Sequence, residues 1–298
     1  MLKMTGFDVL FAAAGNLYLL LALAGICVAL WVGKTWVRKL TYAVLVLALF
    51  IAPIAPQIYR AIEYRGKLTK AQALFDERCK TAGEKIYKTV DGVEGVAWMK
   101  WRPSGLPHDQ FALDDPYGKD CSGEGCILKL LRVNETPAAA KAPNPILSSA
   151  YKFVETIDPS DGIRYRYKGI SKAITDVSRD EFLRHVQRTG YGADTNGRFS
   201  ALQREPIDKF SVDFGIVWDD VSTRADREYW IAGGSLKVID IRTNEVIAER
   251  LGYLIDTGQG STAGAREPWG WAQSYAPKCP QQPKNSVDFV IRVLKPAK

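Results

Sequence analysis

The sequence predicts a membrane-anchored α+β protein, in which two N-terminal transmembrane helices precede a soluble domain with a mainly antiparallel β-sheet and two or three helices. Three observations lead to this prediction. Residues 1–67 contain two long apolar runs, several later segments alternate apolar and polar residues, and residues 68–298 have the composition of a soluble chain. That remainder is long enough to bury one hydrophobic core. We therefore expect a helical hairpin over 1–67 and one soluble domain over 68–298.

The two apolar runs predict transmembrane helices at about 7–33 and 40–58. A helix needs about 20 apolar residues to cross the hydrocarbon core of a bilayer. Pro53 and Pro56 fall in the last turn of the second run, where the loss of helical hydrogen bonds costs little. A cleaved signal peptide is not expected, because the first run is too long and no small-x-small cleavage site follows it.

The distribution of charge bears on partners and on sidedness. The net charge is +7, and most of the basic excess lies in residues 1–67, beside the apolar runs. This placement indicates membrane flanks, so nucleic acid is not an expected partner. The connection 34–39 carries three basic residues, which favours a cytoplasmic loop and a soluble domain on the other side. Basic residues after the second run favour the opposite orientation, and the charge rule is nearly balanced.

The cysteines favour the non-cytoplasmic orientation. Cys27 lies in the first apolar run, whereas Cys79, Cys121, Cys126 and Cys279 lie in the soluble part. An even number of cysteines in a non-cytosolic domain indicates disulfides, and we favour the pairs Cys121–Cys126 and Cys79–Cys279. The alternatives are a zinc site, whose ligand spacing would be unusual, and free thiols.

The first part of the soluble domain contains few regular elements. Residues 68–88 predict an amphipathic helix, and short strands are expected at 93–102 and 126–133. The intervening Pro-, Gly- and Asp-rich segment is expected to be a loop. Residues 134–149 form an Ala/Pro-rich connection that is expected to be extended.

After residue 150 the pattern is mainly that of β-strands. Ser178 and Glu181 form a capping box for a helix that should end before Gly190. Alternating residues and turn signals predict the other elements. These are a hairpin of 151–157 with 163–167, a strand at 210–218, a hairpin of 229–241 with 246–255, and a last strand at 287–293.

One short motif resembles a catalytic signature. The sequence Leu254-Ile-Asp-Thr-Gly258 is similar to the signature of aspartic proteases. The resemblance implies that Asp256 would share a proton with a second aspartate and activate water. It covers five residues, and a second copy is absent from the chain. The alternative interpretation is a strand end followed by an ordinary turn, and Asp256 is therefore only a weak catalytic candidate.

Other site signals are sparse. His108 and His185 are the two histidines, so a histidine-rich metal site is excluded, and we expect neither a metal nor a cofactor. His108 lies among aspartates in a polar loop, and we expect that loop to be solvated. A lone helical histidine such as His185 is usually a filler of the surface or the core.

Four tryptophans form the candidate binding surface. Trp98 and Trp101 lie on one segment, and Trp269 and Trp271 lie near the C-terminus. Exposed tryptophans often mark an interface, although most tryptophans are part of a core.

The predicted function follows from these features. We expect a two-pass protein of the bacterial inner membrane whose soluble domain lies in the periplasm and binds a protein or an envelope component without catalysis, for example as an immunity, exclusion or accessory factor. Its expected partners are the lipid bilayer and an envelope protein. One alternative is a membrane-tethered hydrolase that uses Asp256. Another is a cytosol-facing effector whose helices form homo-oligomers through small residues such as Gly15 and Gly25.

Overall fold

The computed structural model describes residues 6–101, 110–111, 121–131, 150–280 and 286–297, with the backbone alone for residues 6–14. The chain folds as two compact units, Met1–Lys67 and Leu68–Lys298. The predicted connection 134–149 and the loop with His108 lie outside the described residues.

The first unit is helical. Helix α1 covers Gly6–Val32, α2 covers Trp36–Ile51, and α3 begins at Ala55 and ends at Cys79, beyond the unit boundary. The Thr35 side chain caps the start of α2 by accepting a hydrogen bond from the Arg38 amide. Large apolar side chains cover the outside of α1 and α2, as Leu20 (63% exposed) and Leu49 (72% exposed) illustrate. Exposed apolar surface of this extent is costly in water.

One of the two predicted membrane spans is a single long apolar helix, and the other is a broken pair of helices. Among the described residues, α1 is the one helix that is long and apolar enough to cross a membrane by itself, as an anchor or a signal sequence would be. The second predicted span is not a single helix, because α2 ends at Ile51 and α3 follows at an angle of 65°. Pro53 and Pro56 explain the break, since neither can donate the hydrogen bond that a continuous helix requires. Pro56 instead lies in the first turn of α3, where proline is tolerated.

The second unit is an α+β domain with a mainly antiparallel sheet. The strands are β1 Gly83–Ile86, β2 Val90–Val93, β3 Gly95–Trp98, β4 Phe153–Ile157, β5 Arg164–Ala173, β6 Arg198–Pro206, β7 Phe214–Asp220, β8 Ile231–Asp240, β9 Glu245–Ile255, β10 Lys278–Cys279 and β11 Leu294–Pro296. The eight-strand path of the sheet runs β1-β9-β8-β7-β3-β4-β5-β6, and β10 also pairs with β9. Among the described strands of this sheet, the parallel pairs are β3 with β4 and β3 with β7. A separate parallel pair joins β2 and β11.

The described part of the domain has more helices than the predicted two or three. Besides the end of α3, it contains α4 Gly123–Leu130, α5 Arg179–Thr189, α6 Arg224–Glu228, α7 Pro268–Tyr275 and α8 Ser286–Val293. The predicted strands at 126–133 and 287–293 are wrong, because α4 and α8 occupy these positions. In both segments most apolar residues are buried, and a short run buried on most sides does not distinguish a helix from a strand by its period.

The main core lies between the sheet and helices α4 and α8. It includes Ile127 of α4, Phe289 of α8 and Ile216 of β7, which are buried almost completely. Helix α5 matches its predicted signals, because the Ser178 hydroxyl accepts from the Glu181 amide and Gly190 ends the helix in a left-handed conformation (φ 76°). Helix α5 and strands β5 and β6 carry most of the side chains that line the candidate site.

Candidate functional site

The motif around Asp256 forms a closed turn. Asp256 follows β9, and its side chain is completely buried. Its carboxylate accepts hydrogen bonds from the amides of Gly258 and Gly260, both at 2.9 Å, and forms a two-contact ion pair with the Arg266 guanidinium. The partner is thus a guanidinium, whereas an aspartic protease has a second carboxylate that shares a proton. These contacts give Asp256 the role of organising the turn.

The same turn covers an aromatic pair. The rings of Trp230 and Trp269 lie 5.3 Å apart, and the Gly260 backbone lies against the Trp230 ring so closely that a Cβ atom would not fit. Gln259 adopts a positive φ of 48°, and its side-chain amide donates to the Tyr229 carbonyl oxygen at 2.9 Å. The glycine-rich sequence therefore serves close packing over tryptophan.

The four tryptophans do not form the predicted binding surface. Trp98 is 3% exposed and Trp269 is 1% exposed, so both belong to the core. Trp271 is partly exposed, and the Arg266 guanidinium stacks on its ring at 4.4 Å. Trp101 is also partly exposed and lines a polar cavity beside helix α5. Each segment thus contributes one buried and one partly exposed tryptophan.

The four cysteines of the second unit lie in two pairs at disulfide distance. Cys79 at the end of α3 pairs with Cys279 of β10, with Cα atoms 5.6 Å apart. Cys121 pairs with Cys126 of α4, with Cα atoms 4.6 Å apart. Cys27 of α1 has a free thiol. The sequence had favoured both of these pairs.

A polar cavity of about 440 Å³ lies beside helix α5. Its walls come from α4, the turn after β4, strands β5 and β6, and α5. The residues that line it are Trp101, Glu124, Asp158, Ser160, Tyr167, Lys172, Glu181, His185, Arg188, Phe199, Ala201, Leu202 and Arg204. The volume lies within the range of about 300–1,000 Å³ that is typical of small-molecule sites.

Asp158 is the centre of the hydrogen-bond network in this cavity. Tyr167 of β5 lies directly opposite Arg204 of β6 in the sheet register, which brings both side chains to Asp158. The carboxylate accepts from the Tyr167 hydroxyl at 2.9 Å, from the Ser160 amide at 2.9 Å and from the Arg204 guanidinium. Burial opposes ionisation of Asp158, but the hydrogen bonds from Ser160 and Tyr167 and the charge of Arg204 outweigh it and lower its pKa.

The cavity lining also includes His185 and Phe199. His185 is 5% exposed, and its ring lies 4.7 Å from the Phe199 ring. Its Nε2 atom is 3.4 Å from the Thr189 hydroxyl. Burial, together with the charges of Arg188 and Lys172, lowers the pKa of His185, so the imidazole is neutral at pH 7. Burial likewise raises the pKa of Tyr167, which stays a hydrogen-bond donor.

Two further ion pairs complete the cavity wall. Glu124 of α4 lies 3.5 Å from Arg188 of α5, and Lys172 of β5 lies 3.7 Å from Glu181 of α5. Burial raises the pKa of Glu124, although the charge of Arg188 acts against this shift. Each charged side chain among the described lining residues thus has an oppositely charged partner, and the charges of these residues sum to zero when the carboxylates are ionised.

The sequence did not reveal this site. It predicted the helix that carries His185, but treated the histidine as filler, and it did not predict strand β6 at all. The cavity brings together residues from position 101 to position 204, and this assembly depends on the β5–β6 register. The apolar residues Phe199, Ala201 and Leu202 of β6 do not alternate regularly with polar ones, so the segment lacks the period-two signal of a strand. Within the described ranges, no group of three or more His, Cys, Asp or Glu residues is arranged to hold a metal ion.

Comparison of the chain with protein-family models, with curated proteins and with solved structures found no match. The chemistry of the site therefore has to be argued from its own residues.

Proposed function

We propose that this chain is a two-pass membrane protein whose soluble domain lies outside the cytoplasm, in a bacterial periplasm, and binds an envelope component or an envelope protein without catalysis. The observation that carries this proposal is the polar cavity beside Asp158, in which every charged lining residue is paired with an opposite charge.

This pairing favours binding over catalysis. A general acid or base has to be within reach of the substrate and free to exchange a proton. Here the Asp158 carboxylate is occupied by Ser160, Tyr167 and Arg204, and Glu124 faces Arg188. Such fixed donors and acceptors suit the recognition of a ligand, because they orient its polar groups without reacting with them.

The membrane and compartment assignments have separate support. The exposed apolar surfaces of α1 and α2 suit a lipid environment, and α2 with the first turns of α3 would form a second, broken span. The two cysteine pairs at disulfide distance suit an oxidising compartment, since cytosolic thiols are kept reduced. With the loop between α1 and α2 in the cytoplasm, both ends of the hairpin lie on the periplasmic side.

The two alternatives receive less support. A hydrolase based on Asp256 would need an accessible carboxylate, and this one is buried against Arg266. A helical oligomer would need free small-residue faces. A Cβ atom at Gly25 would lie 3.0 Å from Val46 of α2, so this glycine already serves packing within one chain, whereas Gly15 has open space around it.

Site-specific photo-crosslinking in intact cells tests the binding proposal. The photoreactive residue p-benzoylphenylalanine would replace Glu181 at the cavity, Trp271 beside the Asp256 turn, or Lys152 on a distant surface. We expect an adduct at position 181 only, and expect the change Ala201→Trp to remove it by filling the cavity. Equal adducts at all three positions, or an adduct at position 181 that persists with Ala201→Trp, would contradict the proposal.

A further inference from the structure

We propose that the cavity beside Asp158 binds an uncharged sugar unit, the size of a mono- or disaccharide, within a glycan. This inference rests on the proposed binding function and assigns its ligand class. Three properties of the cavity lead to it: its balanced charge, its mixture of hydrogen-bond donors and acceptors, and the aromatic rings in its walls.

The balanced charge disfavours an ionic ligand. The pairs Arg204–Asp158, Arg188–Glu124 and Lys172–Glu181 already neutralise one another. An anion would compete with the carboxylates for these cations, and a cation would compete with the cations for these carboxylates. Either exchange would cost an ion pair that the protein already makes, and of the three pairs Arg204–Asp158 is the least exposed, with side chains 43% and 13% exposed. A neutral polar ligand avoids that cost.

The donors and acceptors match hydroxyl groups. Each hydroxyl of a sugar can donate one hydrogen bond and accept two. The arginines and Lys172 offer only donors, the carboxylates offer acceptors, and the neutral imidazole of His185 offers one of each. A sugar hydroxyl placed beside an ion pair can accept from the cation and donate to the carboxylate while the pair stays in contact. Amides and simple alcohols match this alternation at fewer points.

Trp101 supplies a surface for the carbon–hydrogen face of a sugar ring, because it is partly exposed in the cavity lining. Tyr167 and Phe199 also belong to the lining but are almost fully buried, at 3% and 4% exposure. Aromatic faces carry partial negative charge and pack well against weakly positive C–H groups. The depth of the site also varies, because the Arg188 side chain is 61% exposed and the Glu181 side chain is 50% exposed. The sugar ring would lie on Trp101, while Arg188 and Glu181 at the rim contact the next sugar of the glycan.

Calorimetric titration of the full chain in lipid nanodiscs tests this assignment. The neutral probes are N,N′-diacetylchitobiose, maltose and cellobiose, supported by a glycan array, and the comparison probes are trialanine and inorganic phosphate. We expect saturable binding of at least one neutral saccharide and none of phosphate. Trp101→Ala should weaken that binding about ten-fold, which corresponds to about 1.4 kcal/mol. Arg188→Ala, at an exposed and therefore tolerant position, should weaken it several-fold.

The matched control is Lys152→Ala, which removes an exposed cation paired with Glu94 outside the cavity and should leave saccharide affinity unchanged. If no saccharide binds but trialanine does, and Ala201→Trp abolishes that binding, the sugar assignment is wrong and the binding function stands. If every probe fails and photo-crosslinking at position 181 also gives no adduct, both proposals are wrong. Saccharide binding that is unchanged by Trp101→Ala and Arg188→Ala, in variants with native thermal stability, would place the ligand elsewhere and overturn the assignment.

Discussion

Asp158 and Asp256 occupy similar local positions in different surroundings. Each follows a strand, β4 or β9, and each starts a turn in which its carboxylate accepts a hydrogen bond from the amide two residues later. These bonds, from Ser160 and from Gly258, are both 2.9 Å long. In the sequence alone, Asp256 is the stronger catalytic candidate of the two, because its motif resembles the aspartic-protease signature.

The difference lies in the arginine that each aspartate binds. The Arg266 side chain is 15% exposed and closes over a fully buried Asp256. The Arg204 side chain is 43% exposed, and it binds Asp158 at the edge of a cavity. The Asp–Arg pair of Asp256 and Arg266 therefore closes a buried turn, whereas the Asp–Arg pair of Asp158 and Arg204 lines an accessible cavity. Tertiary packing, which a five-residue motif does not contain, decides which aspartate can meet a ligand.

The largest expected effect is that of Asp256→Ala. Removing one partner of a buried ion pair leaves the other charge uncompensated and typically costs about 3–5 kcal/mol. We expect a loss at the lower end of this range, because Arg266 keeps some exposure. Urea unfolding of the purified full chain would measure it. Asp256→Asn preserves the shape and should lose less, and a change below about 1 kcal/mol for the alanine variant would contradict the sealed turn.

Asp158→Ala should have a smaller effect on the free energy of unfolding. The variant loses several hydrogen bonds, each worth about 0.5–1.5 kcal/mol, but Arg204 can turn to water, so we expect a total of about 1–2 kcal/mol. The same urea unfolding measures it. A loss as large as that of Asp256→Ala would mean that the two aspartates have equivalent structural roles, and the comparison would fail.

The pH dependence of stability should separate the two sites as well. Because the pKa of folded His185 is lowered below 6.5, the unfolded chain binds this proton more readily, and stability is lost as the pH falls below 6.5. Thermal unfolding of His185→Gln across this range should show a shallower loss than the parent protein. Asp256→Asn should leave this part of the pH profile unchanged. If the profiles of His185→Gln and the parent protein coincide, His185 is not desolvated in the cavity.

Glu124 should make a contribution to the pH dependence of stability that is opposite in sign to that of His185. Its pKa is raised above 4.5 in the folded protein, so its contribution to stability is fully present below pH 4.5 and is lost as the pH rises through the folded value. Relative to the parent protein, Glu124→Gln should therefore gain stability as the pH increases over that window. A constant difference between the two melting temperatures would contradict the desolvation of Glu124.

The smallest expected effect is that of Lys152→Ala. Its ion pair with Glu94 is more than half exposed on both sides, so water and salt screen it and its contribution to stability is small. We expect the midpoint of urea unfolding to be nearly unchanged. A loss comparable with that of Asp158→Ala would show that exposed and cavity-lining pairs do not differ in this domain.

The sequence predicted the elements that have strong local signals. The helix from Ser178 to Gly190 has a cap at both ends, and the hairpin of β8 and β9 has clear turn residues, so both agree with the structure. The fold class, α+β with a mainly antiparallel sheet, is also confirmed. Helices α4 and α8 were missed because short, largely buried apolar segments lack a distinctive period.

The cavity could not be predicted from local signals, because it depends on long-range pairing. Tyr167 and Arg204 meet only through the β5–β6 register, and Glu124 reaches the site from a helix that the sequence indicated as a loop and a strand. Which tryptophans are accessible to a ligand also depends on tertiary burial, which local sequence does not show. Trp98 and Trp101 lie three residues apart, yet only Trp101 lines the cavity.

Thiol accessibility tests most directly the proposed location of the soluble domain in an oxidising compartment outside the cytoplasm. The experiment uses a Cys27→Ala variant, which removes the free thiol of α1, and a mass-tagged maleimide applied to intact cells with and without prior reduction. We predict that the four remaining cysteines are labelled only after reduction, and without breaching the inner membrane. Labelling without reduction, and only once that membrane is breached, would place the domain in the cytosol and contradict the account.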